Sequence, residues 1–357
     1  MKSLQKKHKR IVVKLGSSLF YSGRGNFDLN IARQITGEVS ALVKEGREVV
    51  IVSSGAIALG MQLLGLESRP RELSILQAAA AVGQNELMDI YRELFKDKSL
   101  NCGQVLLTWE DFDGRRRYLN AKNTLLSLLK LGVIPIINEN DTVSTDEIKF
   151  GDNDRLSALV ATLISADLLL ILTDVEGLLA KDRKTLVKLV NEITPEIKAL
   201  ASTTDKKACV GGMVTKLDAA KIALGSGIPC VIANGRVKGV ISANVKEPGS
   251  FGTVFAPKKS QLAAKKRWIA FGSKPKGKIM VDDGARNALL GRKSLLAVGI
   301  AGLSGDFECG DIVSIADKAH AEFARGKTNF SSKQLEKLKG QRLDKEVIHC
   351  DNIVVVN

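Results

Sequence analysis

The sequence predicts an α/β protein in which helices sandwich an open, mainly parallel sheet, followed by a small, mainly β C-terminal domain. Up to residue 257, short runs rich in Val, Ile and Leu alternate with longer segments of helical pattern. These short runs are continuously apolar, which is typical of strands buried on both faces of a parallel sheet. After residue 257 the runs become shorter, closer together and separated by Gly, which indicates a second, mainly β domain.

The first region contains βαβ units in sequence. Its predicted strands are Arg10–Leu15, Glu48–Ser53, Gln104–Thr108, Val133–Asn138, Leu168–Thr173 and Pro229–Ala233. Its predicted helices are Leu29–Lys44, Arg71–Phe95, Tyr118–Leu131, Asp154–Ser165 and Met213–Ser226. In such an open α/β sheet, ligands bind beyond the carboxyl ends of the strands.

The pattern of the second region predicts closely spaced strands interrupted by two helices. The predicted strands are Lys278–Val281, Ser294–Ala297, Asp311–Ile315, Ala321–Arg325 and Ile353–Val356, and the predicted helices are Asp283–Leu290 and Ser332–Leu338. We therefore expect a first domain over residues 1–257, a basic linker over 258–267 and a second domain over 268–357.

The net charge of +14 lies mainly in the N-terminal ten residues and in the linker. Residues 1–10 and 258–267 each carry five Lys or Arg and no acidic residue, whereas residues 11–257 carry 29 basic and 28 acidic residues. Residues 268–357 retain an excess of +3. Solvated charge runs therefore explain the excess better than a nucleic-acid groove does.

The N-terminal segment and the cysteines indicate a cytoplasmic protein without a membrane span. The basic N-terminus has no apolar segment or cleavage site after it, and no apolar run is long enough to cross a membrane. The five cysteines are far apart and form no CxxC pair. This spacing argues against a zinc site or a disulfide framework and fits a reducing compartment.

Two clusters of Asn and Asp stand beside apolar segments. Asn138-Glu139-Asn140-Asp141 follows a predicted strand, and Gly151-Asp152-Asn153-Asp154 precedes a predicted helix. Turn and N-cap chemistry alone would also favour these residue types. Alternatively, these side chains bind a small polar substrate or a metal-bound phosphate. Polar groups recur at other strand ends, which favours this second interpretation.

Four other segments place polar groups at predicted strand or helix ends. They are Lys14-Leu15-Gly16-Ser17-Ser18, Ser53-Ser54-Gly55-Ala56, Leu172-Thr173-Asp174 and Gly211-Gly212-Met213-Val214-Thr215-Lys216. Neither GxxxxGK[ST] nor GxGxxG is present, so the usual P-loop and dinucleotide motifs are excluded. Two lysines, backbone N–H groups and carboxylates are the parts that phosphoryl transfer needs. Nothing indicates a covalent nucleophile on the protein.

These motifs, in this order and spacing, resemble the amino acid kinase family, and within it the members that phosphorylate L-glutamate. The segment Gly277-Lys278-Ile279-Met280-Val281-Asp282-Asp283-Gly284-Ala285, with Trp268 before it, resembles a pseudouridine synthase and archaeosine transglycosylase (PUA) domain. The resemblance covers nearly the whole chain. It implies ATP-dependent phosphorylation of the L-glutamate side-chain carboxylate to L-glutamyl 5-phosphate, the first step of proline biosynthesis, with Mg²⁺ held mainly by ATP and no protein metal ligand assigned.

The resemblance also implies roles for individual residues. Lys14 and Lys216 would stabilise the transferring phosphoryl group, and Asp154 would hold both lysines. The implied glutamate-binding residues are Ser54, Asp141, Asn153 and Asp152. The implied ATP-binding residues are Lys14, Gly16, Thr173, Asp174, Val210, Gly211, Gly212, Met213, Val214, Thr215 and Lys216. Val210 and Val214 replace hydroxyl-bearing residues common in the family, which removes two polar groups near the nucleotide.

Competing interpretations remain at this stage. A carbamate, acetylglutamate, aspartate or uridylate kinase would share the sheet and the lysines, although the two Asn/Asp clusters favour the glutamate enzyme. An RNA-binding regulator is the alternative from another class, but the low charge and few aromatic residues of the C-terminal region argue against an RNA groove. The resemblance suggests a homo-oligomer, and it leaves open whether L-proline inhibits the enzyme.

Overall fold

The computed structural model describes residues 8–21, 27–144, 152–202, 212–257, 266, 268–272, 275–341 and 345–356. The described strands are β1 (Arg10–Leu15), β2 (Glu48–Ser53), β3 (Cys102–Leu107), β4 (Ile134–Glu139), β5 (Leu168–Thr173), β6 (Leu189–Val190), β7 (Cys230–Asn234), β8 (Thr253–Phe255), β9 (Gly277–Val281), β10 (Ile300–Ser304), β11 (Ile312–Ala316), β12 (Glu322–Lys327) and β13 (Ile353–Val355). The described α-helices are α1 (Ser17–Phe20), α2 (Leu29–Lys44), α3 (Ala56–Leu63), α4 (Leu73–Lys96), α5 (Glu110–Asp113), α6 (Arg115–Lys130), α7 (Asp152–Ile164), α8 (Pro195–Ser202), α9 (Met213–Gly225), α10 (Val240–Lys246), α11 (Asp283–Leu290) and α12 (Ser332–Leu338). None of these helices is long and apolar enough to cross a membrane.

Contacts between Cα atoms divide the chain into two units. The first comprises Met1–Asp111 and Arg116–Gln261, and the second comprises Phe112–Arg115 and Leu262–Asn357. The short segment Phe112–Arg115 therefore groups with residues far along the chain, which a division of the sequence at a single linker does not anticipate. Within the second unit, the Trp268 indole N–H donates to the Phe112 carbonyl at 3.1 Å.

The sheet of the first unit confirms the predicted open, mainly parallel architecture. Over the described residues it has eight strands in the order β3-β4-β2-β1-β5-β7-β8-β6. Neighbouring strands pair in parallel except β7 and β8, which are antiparallel. Ile11, Val12 and Val13 in the central strand β1 are fully buried, as expected for a strand with helices on both faces.

The position of β1 determines where the site forms. β1 lies between β2 and β5, and Lys14 is in register with Val52 on one side and Ile171 on the other. Because these strands are parallel, their carboxyl ends meet at one edge of the sheet. The polar segments after β1, β2, β4 and β5 are thereby brought to the same edge.

Helices α3 and α4 pack against each other at unusually short range. A Cβ atom on Gly60 would lie 1.7 Å from the Ala79 carbonyl oxygen, and one on Gly83 would lie 1.8 Å from the Ala56 carbonyl oxygen. Only glycine at these positions allows the two backbones to approach so closely. Since α3 begins directly after the turn that follows β2, this contact fixes the position of that turn. The sequence interpretation did not include α3 as an element.

The second unit contains a separate, mainly β sheet. Over the described residues its strand order is β10-β9-β11-β12-β13, with β9 and β11 parallel and the other pairs antiparallel. The buried side chains of Ile279, Phe307 and Ile315 belong to its own apolar core. Helix α12 begins at a capping box formed by Ser331 and Gln334.

One predicted strand of this unit is wrong. The run Ser294–Ala297 forms no strand; the strand is Ile300–Ser304, preceded by a 3₁₀ turn over Ala297–Gly299. Leu295 makes only an isolated bridge to Ile348. Leu295 and Ala297 are buried without belonging to a strand, and Leu296 is exposed. Hydrophobicity alone cannot distinguish burial in a strand from burial by other contacts.

Candidate active site

A buried carboxylate lies between two buried lysines at the carboxyl edge of the first sheet. Lys14 Nζ is 2.6 Å from Asp154 Oδ1, and Lys216 Nζ is 3.3 Å from Asp154 Oδ2. The Thr215 hydroxyl donates to Asp154 Oδ2 at 2.7 Å. Asp154 is completely buried, and each lysine is 5% exposed. The structure thus brings together the three side chains that the resemblance assigned to catalysis.

The charges in this cluster are strongly coupled. Burial alone would raise the pKa of Asp154, but the two neighbouring ammonium groups hold it below its usual value. Burial lowers the pKa of Lys14, and the attraction of Asp154 opposes that effect. Two cations against one anion leave a surplus positive charge in a place largely closed to water. Such a place favours an anionic group such as phosphate.

Each member of the cluster is positioned by the end of a regular element. Lys14 precedes the last residue of β1. Asp154 lies in the first turn of α7, and Lys216 lies in the first turn of α9, after the N-cap residue Gly212. Helix N-termini stabilise nearby negative charge, which supports the Asp154 carboxylate at α7 and would support a phosphate at α9.

The loop after β1 leaves room beside the Lys14 ammonium. A Cβ atom on Gly16 would lie 3.6 Å from Lys14 Nζ and 3.4 Å from the Leu172 carbonyl oxygen. The Gly16 N–H donates to that carbonyl at 3.1 Å, so it is not available to a phosphate oxygen. Gly16 therefore contributes space next to a cation rather than a hydrogen-bond donor.

Asp174 connects the loop after β5 to the loop after β1. Its Oδ1 accepts from the Ser18 hydroxyl at 3.0 Å and from the Thr173 hydroxyl at 3.1 Å. Burial would raise the pKa of Asp174, but these hydrogen bonds and the charge of Lys216 hold it below its usual value. An ionised carboxylate thus lies at the edge of the predicted nucleotide site.

The turn after β2 contacts the second Asn/Asp cluster. Gly55 has a φ of 115°, a conformation that favours glycine, and it is the N-cap of α3. Asn153 Nδ2 donates to the Ser54 hydroxyl oxygen at 2.9 Å and to Asn138 Oδ1 at 2.9 Å. Ser54 and Asn153, both predicted to bind the substrate, are therefore in direct contact. Asn153 directly precedes Asp154 in α7.

Asp141 lines a cavity of about 310 Å³. The cavity is lined by the end of β4 and the following residues, together with side chains from α4 and β3. Its lining includes Glu139, Asp141, Gln84 and Gln104. Its volume falls within the range of small-molecule sites. Asp141 thus faces a space that can hold a small ligand.

Some of the predicted site residues have limited structural description. Val210 and Gly211 lie outside the described residues, and only the backbone of Asp152 is described, at the first position of α7. Met213 and Val214 occupy the first turn of α9, where the Val214 side chain is 49% exposed.

Two site residues, Gln84 and Gln104, were not predicted from the sequence, and Asn138 was predicted only as part of the first Asn/Asp cluster, with no role of its own. Asn138 is 2% exposed and contacts Asn153. Gln84 on α4 accepts from Asn138, and Gln104 on β3 accepts from Gln84. Gln84 had a usable signal, because it follows Ala80 by four residues on the stripe of α4 that is otherwise apolar. A polar side chain on such a stripe requires partners.

Comparisons with known proteins agree with this arrangement. The profile of the amino acid kinase family matches residues 9–234, and the profile of the PUA domain matches residues 277–350. Among curated relatives, "Glutamate 5-kinase" of Thermoanaerobacter sp. (strain X514) is 43% identical, with 97% of this chain and 98% of the relative covered. "Glutamate 5-kinase" of Paraburkholderia phymatum is 45% identical with complete coverage of both chains.

A solved structure shows the fold at much lower identity. N-acetylglutamate synthase from Neisseria gonorrhoeae, in complex with coenzyme A and N-acetylglutamate, superposes with a TM-score of 0.53 at 15% identity. The match covers 71% of this chain and spans 61% of that chain. At this identity the likeness concerns the fold alone. The family profile and the full-length relatives together carry the assignment: the chain belongs to the amino acid kinase family and bears a C-terminal PUA domain.

Proposed function

We propose that the protein transfers the γ-phosphoryl group of ATP to the side-chain carboxylate of L-glutamate, giving L-glutamyl 5-phosphate, the first step of proline biosynthesis. The observation that carries this proposal is the buried Lys14–Asp154–Lys216 cluster. A cavity of about 310 Å³ that Asp141 and Gln84 line is linked to the residue before Asp154 by the hydrogen bonds from Asn153 to Asn138 and from Asn138 to Gln84. Curated full-length relatives bearing the name "Glutamate 5-kinase" support the choice of acceptor.

The reaction needs positioning and charge neutralisation more than proton transfer. The acceptor carboxylate is already ionised at neutral pH, so no general base is required. Lys14 and Lys216 neutralise charge that spreads over the phosphoryl oxygens in the transition state. Asp154 keeps the two ammonium groups close together, which they would otherwise resist, so the site is organised before the substrates bind.

The residues present fit ATP and Mg²⁺. Because Gly16 has no side chain, there is space beside the Lys14 ammonium. The N-terminus of α9 provides backbone N–H donors for phosphate oxygens. When bound, Mg²⁺ supplies further neutralisation of the phosphate charge, and ATP would hold it mainly. Thr173 and Asp174, together with residues 212–216, line the proposed nucleotide side, whereas Ser54, Asp141 and Asn153 form the proposed glutamate side.

The proposed glutamate side, or acceptor side, is complementary to an amino acid. Asp141 provides a negative charge for the substrate ammonium, and Ser54 and Asn153 provide neutral polar groups. A second buried anion beside glutamate would be repulsive unless it faced that ammonium. Asp141 is therefore proposed as the partner of the ammonium group.

Hydroxylamine trapping of the acyl phosphate tests the proposal directly. Purified protein with ATP and Mg²⁺ is offered L-glutamate, L-aspartate, N-acetyl-L-glutamate or carbamate, and ADP release is followed with UMP as a further control. Hydroxamate formed with L-glutamate alone is the expected result. Absence of turnover with every acceptor would contradict the proposed activity and favour the RNA-binding alternative.

Three finer expectations are also proposals. Self-association is supported by exposed leucines near the α3–α4 contact, Leu63 at 55% and Leu64 at 48% exposure. Inhibition by L-proline is supported by the α-amino-acid group that proline shares with glutamate. A cytoplasmic location is supported by free cysteines, among them the exposed Cys309.

A further inference from the structure

Four side-chain amides form a continuous hydrogen-bonded row from the cavity to the acceptor side of the site. Gln84 Nε2 donates to Gln104 Oε1 at 3.0 Å, and Asn138 Nδ2 donates to Gln84 Oε1 at 2.8 Å. Asn153 Nδ2 donates to Asn138 Oδ1 at 2.9 Å. The row begins at the exposed Gln104 and passes through Gln84, 9% exposed, and Asn138, 2% exposed.

Two backbone groups fix the direction of this row. A side-chain amide can be turned over with little change of shape, so its orientation must be set by groups that only donate or only accept. The Glu139 backbone N–H, which only donates, binds Asn138 Oδ1 at 2.9 Å. The Ser53 carbonyl, which only accepts, binds Asn153 Nδ2 at 3.3 Å. Consequently Asn138 must turn its Nδ2 toward Gln84, and each amide in the row has one permitted orientation.

The row ends in an acceptor that has no protein partner. Because Asn153 Nδ2 faces Asn138 and Ser54, its Oδ1 is directed away from both. This oxygen is buried and has no hydrogen-bond partner among the described residues. Buried carbonyl oxygens are rarely left unpaired, so the Asn153 oxygen keeps the capacity to accept a hydrogen bond from a bound substrate. Ser54 accepts from Asn153 through its oxygen and keeps its own proton to donate elsewhere.

We propose that Gln84 is a positioning residue for recognition of the amino-acid substrate. Through Asn138 it holds the Asn153 amide in place, so that the Asn153 oxygen accepts a hydrogen bond from the ammonium group of L-glutamate. The Ser54 hydroxyl then donates to a substrate carboxylate oxygen. A donor and an acceptor next to each other match the two charged groups of an α-amino acid. This inference rests on the proposed function.

The main test is the kinetics of Gln84→Met, which keeps the side-chain length and removes both polar atoms. Without the Gln84 oxygen, Asn138 Nδ2 loses its buried acceptor. The Glu139 N–H and the Ser53 carbonyl still set which end of each amide donates, but the Asn138 side chain is no longer held firmly in place, and the position of the Asn153 amide against it becomes less well defined. The apparent KM for L-glutamate should rise at least tenfold, whereas kcat and the KM for ATP should stay within about threefold of wild type. Gln84→Ala carries the same expectation if the methionine variant does not fold.

A double-mutant cycle distinguishes positioning through Asn153 from a general loss of structure. In an Asn153→Ala background, Gln84→Met should change the KM for L-glutamate by less than about twofold, because the group through which it acts is gone. The matched control is Gln34→Met. Gln34 is a partly buried glutamine on α2 whose Nε2 donates to the Val237 carbonyl at 3.1 Å, and its replacement should leave all three constants unchanged.

Each outcome bears on one of the two proposals. A full effect of Gln84→Met in the Asn153→Ala background, or an unchanged KM in both Gln84 variants of an active enzyme, would overturn the positioning role. Calorimetric titration of wild-type protein with L-glutamate, together with hydroxamate formation, reports separately on the proposed function. If wild type neither binds L-glutamate nor forms hydroxamate, the proposed function fails, whatever the variants do.

Discussion

Asp154 illustrates how single residues define this site. Both of its oxygens are committed to cations, and its hydrogen bond from Thr215 uses a further lone pair. A buried carboxylate in such surroundings is stable only with those partners, and each lysine is likewise stable only with the carboxylate. Substitution of Asp154 should therefore change the stability of the folded protein, whereas substitution of one lysine leaves Asp154 paired with the other lysine and should act mainly on turnover.

Removal of either lysine should act mainly on turnover. Lys14→Ala and Lys216→Ala are each expected to lower kcat by roughly 10²–10³, as for loss of one transition-state donor, while circular dichroism still shows a folded protein. The remaining lysine keeps Asp154 paired. Lys221→Ala, an exposed position on the same helix as Lys216, is the matched control and should retain full turnover. Normal turnover in either lysine variant would remove that lysine from the catalytic assignment.

The acid side of the stability curve should report on Asp154. Its pKa in the folded protein is below the ordinary value of 3.8, so its contribution is fully present above about pH 4 and is lost as the pH falls through the folded pKa. The difference in Tm between wild type and Asp154→Asn should therefore be constant from about pH 7 to 5 and narrow on further acidification. Asp89→Asn, which alters an exposed pair with Arg92, should show a small difference throughout. A Tm difference that widens on acidification would contradict the inferred ion pairing.

At the scale of elements, the approach of α3 to α4 depends on the absence of side chains. Gly83→Ala would place a Cβ atom 1.8 Å from the Ala56 carbonyl oxygen and 2.3 Å from the Gly60 nitrogen. Backbone atoms cannot yield as side chains do, so we expect a loss of about 1–3 kcal/mol or more, despite the better helix propensity of Ala. Denaturant titration measures this change.

A second glycine provides the matched comparison for that variant. A Cβ atom on Gly37 in α2 would have nothing within 4 Å, so Gly37→Ala should stabilise the protein by about 0.5–1 kcal/mol. Equal effects of the two substitutions would show that helix propensity, rather than the α3–α4 contact, governs both positions. Because α3 follows the Ser53-Ser54-Gly55 turn directly, Gly83→Ala should also raise the KM for L-glutamate.

At the scale of the whole molecule, the unit that contains the site and the PUA unit have separate apolar cores. The first core includes Val13 and Leu170, and the second includes Ile279 and Ile315. All described site residues belong to the first unit. We therefore expect a chain ending at residue 261 to retain kcat and the KM for L-glutamate within about threefold of the full-length protein.

One substitution makes the truncation experiment easier to interpret. Phe112 is 1% exposed and groups with the second unit, where its carbonyl accepts from the Trp268 indole, so we expect its side chain to become exposed when that unit is removed. Phe112→Ser in the shortened chain should therefore improve its yield without altering turnover. A shortened chain that folds by circular dichroism but forms no hydroxamate would show that the second unit completes the site.

Much of the framework follows from local sequence. The predicted limits of β1, β2, β5, α2, α11 and α12 agree with the structure because each element combines a clear apolar pattern with local end signals. Asp28 caps α2 by accepting from the Asn30 and Ile31 amides, and Asp282 caps α11 by accepting from the Ala285 amide. Such signals lie within a few residues of the element that they limit.

The sequence by itself determined the α/β class and which polar segments lie at strand ends, because parallel strands must expose their carboxyl ends on the same side. It did not determine which polar atoms meet. The contacts of Lys14 and Lys216 with the two oxygens of Asp154, and the amide row from Gln104 to Asn153, join residues far apart in the chain. Likewise, Gly16 offers space rather than its N–H group because the Leu172 carbonyl has taken that donor. Only the tertiary structure decides these pairings, since a hydrogen bond depends on distances of tenths of an ångström that strand order and helix packing set together.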